Sequence, residues 1–128
     1  MDNLIYTVTS AKDFEEAVKA VVNETEAVGF RVLYIHDVKD TLGKKGHVIE
    51  PLKIIEVCNA KNAYMAIRTD INLALMLPCR VNVYIKNGKV YISALRPGFM
   101  QVVFPEIDIA DVVADVDKKL IAIVEQAK

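Results

Sequence analysis

Leu77-Pro-Cys-Arg-Val-Asn-Val-Tyr-Ile-Lys-Asn-Gly-Lys-Val-Tyr-Ile-Ser-Ala-Leu95 places Asn87-Gly88 between two alternating apolar runs. A type I′ turn needs positive φ at both central residues, which makes Asn-Gly the strongest short-range hairpin signal. A two-residue turn at 87 and 88 predicts that Lys86 faces Lys89, Tyr84 faces Tyr91, and Val81 faces Ala94. Successive side chains of a strand point to opposite faces. One face therefore gathers Val81, Val83, Ile85, Val90, Ile92 and Ala94. The other carries Asn82, Tyr84, Lys86, Lys89, Tyr91 and Ser93. A slip of one residue would expose the whole apolar set, so the register is strongly specified. The mixed face can meet water, a ligand or a second subunit.

Outside this hairpin, 128 residues suffice for a single domain, 1–128. An apolar content of 53% argues against disorder. A net charge of −1 gives no field that would draw in nucleic acid or anionic membrane. The opening Met-Asp-Asn-Leu-Ile-Tyr lacks the basic start and apolar core of a signal peptide. No apolar run reaches the ~20 residues of a membrane helix. Two cysteines without a secretory signal suggest free thiols and a cytoplasmic location.

In chain order, Leu4 to Thr9 reads as a strand. Ser10 is the expected N-cap of a helix whose stripe is Phe14, Ala17, Val18, Val21, Thr25 and Val28, stopped by Gly29. Phe30 to Asp37 is a second strand, with Asp37 capping a short helix that Gly43 or Gly46 closes. Leu52 to Cys58 is a third strand. Asn59 caps a helix over Ala60 to Thr69 with Ala63, Tyr64 and Ile67 on one side. Ile71 to Leu77 is apolar and leads to Pro78. Phe99 to Phe104 reads equally as a brief strand or an apolar loop. Asp108 caps a final helix with Ile109, Val113, Val116, Leu120, Ile123 and Ala127 at helical spacing. The order β-α-β-(α)-β-α-β-β-α predicts an α+β fold: one mainly antiparallel sheet with two long helices packed on it.

Glu56-Val57-Cys58-Asn59 and Leu77-Pro78-Cys79-Arg80, with the Val-x-Val-Tyr hairpin after them, carry a resemblance. The chain resembles the prokaryotic domain-of-unknown-function family numbered three hundred and two, which is marked by Cys-Asn-Pro and Leu-Pro-Cys-Arg. The likeness spans nearly the whole chain. It implies a TBP-like fold and a homodimer, and no established activity. Ala60 stands where that family usually has Pro, so the turn after Cys58 is less rigid here.

Cys58 ends one strand and Cys79 begins another. If the strands are neighbours, the thiols approach each other as a redox pair, a sulfur carrier or half of a metal site. Asn59 at a helix start would lower the pKa of a nearby thiol. Burial as small hydrophobes is the commoner fate of free cysteine, and without C-x-x-C thioredoxin chemistry has no support. Zinc could use Cys58, Cys79, His36 and His47, but spacings of 21 and 11 residues are not those of a finger. His36 beside Asp37 reads better as an ordinary hydrogen-bonded imidazole. A triad of Cys58, His36 and Asp37 or Glu56 has no local signature. Thr41-Leu-Gly-Lys-Lys-Gly46 lacks the phosphate-loop pattern, and its lysines, with Lys39 and His47, read as a solvated loop with at most a weak anion site.

The sequence therefore predicts a homodimeric binding or accessory module that holds a small-molecule ligand in a groove lined by the hairpin. Asn59, Arg80, Tyr84 and Tyr91 are its candidate ligand residues. No metal, cofactor, nucleic acid or membrane is expected. Whether the chain is an enzyme is left open. The alternative is a thiol protein using Cys58 and Cys79, with His36 as base.

Overall fold

The computed structural model describes residues 2–128. Five strands, β1 (Ile5–Ser10), β2 (Arg31–Asp37), β3 (Leu52–Cys58), β4 (Cys79–Lys86) and β5 (Lys89–Leu95), form one sheet in the order β1-β5-β4-β3-β2. Every pairing is antiparallel. The hairpin register is the one Asn87-Gly88 dictates, with Tyr84 opposite Tyr91 and Val81 opposite Ala94. Both turn residues have positive φ, 52° and 79°. Two long helices, α1 (Phe14–Ala27) and α5 (Ala110–Ala127), pack on one face. Short helices α2 (Val38–Gly43), α3 (Ala60–Thr69) and α4 (Phe99–Val103), with a 3-10 turn at Ile71–Met76, complete the α+β fold. No helix is long and apolar enough to cross a membrane among the described residues.

The main core lies between the sheet and the long helices. Val81, Val83 and Ile92 meet Val21, Ile55, Val57, Leu120 and Ile123 there, all essentially without solvent contact. A second cluster, Ala66, Leu73, Met100 and Ile109, joins α3, the 3-10 turn, α4 and the start of α5. These elements gather at the sheet end where β3 finishes and β4 begins.

Local chemistry moves several expected boundaries. Asp13, not Ser10, caps α1: its carboxylate accepts from the Glu16 amide at 2.8 Å, and Glu16 accepts from the Asp13 amide. Ser10 is still in the ladder opposite Val90, so the helix cannot begin there. The last helix starts after Ile109, with the Asp108 carboxylate accepting only weakly from Ala110 N–H at 3.4 Å. Phe99 to Val103 is helical rather than a strand or loop, because Pro97-Gly98 turns the chain and one helical turn buries Met100. The buried side of α3 is Asn62 and Ala66, while Tyr64 and Ile67 stay exposed. Asn62 donates to Asp115 of α5 at 2.8 Å, and that bond turns a polar residue inward.

Candidate functional site

Two places concentrate the residues with chemical potential, and they lie on different sides of the molecule. The first is a small cavity beneath the N-terminus of α3. Cys79 is the first residue of β4 and faces inward with Val81; its register partner is Val57, and Cys58 comes next. Cys58, Asn59, Cys79 and Met100 all line the cavity, with Val57, Ala66 and Val116 among the apolar walls. Its free volume is about 20 Å³, room for about one water-sized guest. Asn59 is occupied structurally. Its side-chain oxygen accepts from Asn62 N–H at 3.0 Å, and its amide donates toward the Gly29 carbonyl at 3.4 Å.

Neither thiol is activated. Burial raises the Cys58 pKa above the ordinary thiol value. Burial, and after it the nearby Cys58, pushes Cys79 up to about 11. Both cysteines are free. The thiol alternative therefore has no geometric support as a nucleophile. His36 is also remote from the cysteines. It sits opposite Ile54, whereas Cys58 sits opposite Arg31, four residues further along β3. That separation is roughly 13 Å at ~3.3 Å per residue. His36 instead shares a 2.9 Å hydrogen bond with Glu56. His47 lies in the exposed loop after α2. Among the described residues no three His, Cys, Asp or Glu side chains converge as a metal site would require.

The second place is the sheet face that no long helix covers. Tyr84 and Tyr91 stack on it toward the hairpin turn, ring centroids 5.4 Å apart and 21° from parallel. Lys86 and Lys89 flank the pair on the turn side, and Asn82 and Ser93 on the other. Toward β2, Tyr34 meets the His36 ring edge-on at 4.5 Å, His36 bonds Glu56, and Glu56 lies opposite exposed Arg80. A shallow open groove of about 400 Å³ runs beside Leu52, Asn82, Tyr84 and Lys86. The Asn82 side-chain oxygen is buried and has no hydrogen-bond partner among the described residues. Of the candidate ligand residues, Arg80, Tyr84 and Tyr91 share this face, and Asn59 belongs to the cavity instead.

Sequence reasoning missed Asn62, Met100 and the unpaired Asn82 oxygen. Asn62, three residues after an Asn cap, carried a local signal; its Asp115 partner, 53 positions away, carried none. Met100 was hidden because its segment was not recognised as a helix.

Fold and site together define a two-layer α+β protein with one sheet face bare and a small, mostly apolar cavity at the sheet's end. The chain belongs to the family described as Domain of unknown function DUF302, which matches residues 6–127. A solved structure titled as that of an uncharacterized conserved protein DUF302 from Bacillus stearothermophilus is similar to it. The two chains are 26% identical, with a TM-score of 0.92 over 98% of each. Among curated proteins none matches. No activity is established by these comparisons.

Proposed function

We propose that this protein is a non-catalytic binding module that works as a homodimer and holds a flat, anionic small molecule on the bare face of its sheet. The observation that carries the reading is the Tyr84–Tyr91 stack, floored by a rigid hairpin and flanked by two lysines. Aromatic faces supply apolar contact, and the cations beside them favour an acidic group. The groove beside Tyr84 and Asn82 is within the size range of small-ligand sites. The TBP-like arrangement that the resemblance implies agrees with a sheet covered on one side only.

A different surface supports self-association. Among the described residues, seven of the twelve exposed large hydrophobic side chains lie on α3, the 3-10 turn and α4: Tyr64, Met65, Ile67, Ile71, Leu75, Val102 and Val103. Leu75 is 83% exposed and Ile71 69%. Apolar groups gathered this way on a small domain mark an interface. A dimer built there leaves the tyrosine face free in each protomer.

Titration with anilinonaphthalene sulfonate, a planar aromatic anion, tests the ligand floor. Saturable fluorescence enhancement is expected, and it should be lost in Tyr84→Ser/Tyr91→Ser but kept in Leu75→Asp. Enhancement unchanged in the double tyrosine variant sinks the floor. Sedimentation velocity tests the dimer: a dimer for the wild type and a monomer for Leu75→Asp are expected. A wild-type monomer at all accessible concentrations sinks the dimer.

A further inference from the structure

The uncovered sheet face carries a charge that the chain as a whole does not. Strand alternation turns Arg31, Arg80, Lys86 and Lys89 to that face against one carboxylate, Glu56, in a chain of net charge −1. All four cationic residues are exposed. No salt bridge among the described residues uses any of them. Glu56, the register partner of Arg80, spends one carboxylate oxygen on His36 at 2.9 Å.

The cations gather at two ends. Lys86 and Lys89 face each other beside the turn. Arg80 stands near the other end of β4, and Arg31 begins β2 at that same end of the sheet. Tyr84 and Asn82 take the outward positions of β4 in between. Lys86, Tyr84, Asn82 and Arg80 therefore form one line: cation, ring, amide, cation. From Lys86 to Arg80 the line runs roughly 20 Å at ~3.3 Å per residue. We propose that it binds an elongated aromatic molecule with an acidic group at each end.

The inference rests on the tyrosine floor and extends it. The floor holds the ring and the first acid, and Arg80 holds the second. A small one-acid ligand seated on the tyrosines leaves Arg80 unused, because roughly 13 Å of strand separates it from Tyr84. The planar fork of an arginine suits an acidic group, since it pairs two oxygens at once. Asn82 lies between ring and fork, and its side-chain oxygen has no partner among the described residues. An N–H near the middle of the ligand would give that oxygen the bond it lacks. The groove beside Leu52, Asn82, Tyr84 and Lys86 accommodates the ring section. Carboxylates limit the charge the face accepts at both ends: Glu56 beside Arg80, and Glu50, which accepts from Asn87 N–H at 3.4 Å beside the turn. That limit, with the net charge of −1, favours two discrete acids over a long polyanion such as nucleic acid.

Congo red, a planar rod with a sulfonate on each terminal ring system, is the two-acid probe, and anilinonaphthalene sulfonate is the one-acid reference. Both are titrated by calorimetry against the full chain, shown to be monodisperse by sedimentation. Congo red is expected to bind at one site per chain, to displace the reference dye and to bind more tightly than it. Arg80→Gln, a change at an exposed position, should cut the preference for Congo red over the reference about 3–10-fold, the equivalent of one net hydrogen bond. Lys86→Gln/Lys89→Gln should weaken both dyes. An unchanged preference in Arg80→Gln overturns the two-acid line and leaves the tyrosine floor standing. Congo red that binds without displacing the reference dye also overturns the line. Binding of both dyes that ignores Tyr84→Ser/Tyr91→Ser overturns the floor itself, and the line with it.

Discussion

The two faces of the sheet are built from alternate residues of the same strands and obey different rules. On the covered face, Val81, Val83 and Ile92 have no solvent contact and no polar atom to satisfy. On the bare face, the residues between them, Asn82, Tyr84, Tyr91 and Ser93, are partly exposed and polar or amphipathic. Register and turn are common to both, so backbone chemistry cannot explain the difference. The helices explain it, since burial against α1 and α5 makes shape and apolarity decisive on one side only. The bare side is free to keep groups that cost stability, and Asn82 is one.

This contrast predicts a steep asymmetry between neighbours. Ile92→Ala should cost about 2–5 kcal/mol, the range for truncating a fully buried branched side chain. Ser93→Ala, one residue on, should stay within about 0.5 kcal/mol. Chemical denaturation of both variants checks it, and comparable losses would erase the distinction between the faces. Cys79 gives the covered side a pH signature. Its folded pKa, about 11, lies above the ordinary thiol value of 9.0. The protonated thiol is the form the fold favours, so its contribution is complete below pH 9 and is lost as pH rises toward 11. The slope is at most on the order of 1 kcal/mol per pH unit. Cys79→Ala should flatten that fall; an identical alkaline profile would place the thiol in water.

Register holds the two faces apart, and it depends on two residues. Gly88 has φ of +79° with open space where a Cβ would sit, so conformation alone penalises a side chain there. Gly88→Ala should cost about 1 kcal/mol. Spectra that show an altered strand pairing, rather than a weaker version of the same one, would mean that the turn selects the register outright.

Much of this architecture was legible because its signals are local. Asn87-Gly88 specified the hairpin and its inner set, Asp37 and Asn59 marked helix starts, and Leu52 to Cys58 emerged with its observed bounds. Where a distant partner determined the outcome, local reasoning fell short. Tyr64 and Ile67 look like the apolar side of α3, yet Asp115 on another helix draws Asn62 inward. Ser10 looks like a cap, yet pairing with β5 keeps it in the strand. The candidate site divided in the same way. Tyr84 and Tyr91 followed from the register, whereas the company of Cys58, Cys79 and Met100 depended on a helix that the pattern of 99–104 did not reveal.

The smallest predicted effect has the opposite sign to the others. A buried acceptor without a partner forfeits its hydration, a cost of about 1–3 kcal/mol in a fully dry setting. Asn82 is only partly buried as a residue, so the recoverable part lies at the low end. Asn82→Val removes the acceptor, keeps a compact side chain and suits a strand. It should raise stability by up to about 1 kcal/mol while weakening anilinonaphthalene sulfonate binding at the adjacent groove. Thermal denaturation and the dye titration read the two effects separately. A gain in stability with a loss of binding is what a surface kept polar for a ligand requires. A loss of stability would show that the Asn82 oxygen is satisfied in solution and that the bare face is as settled as the covered one.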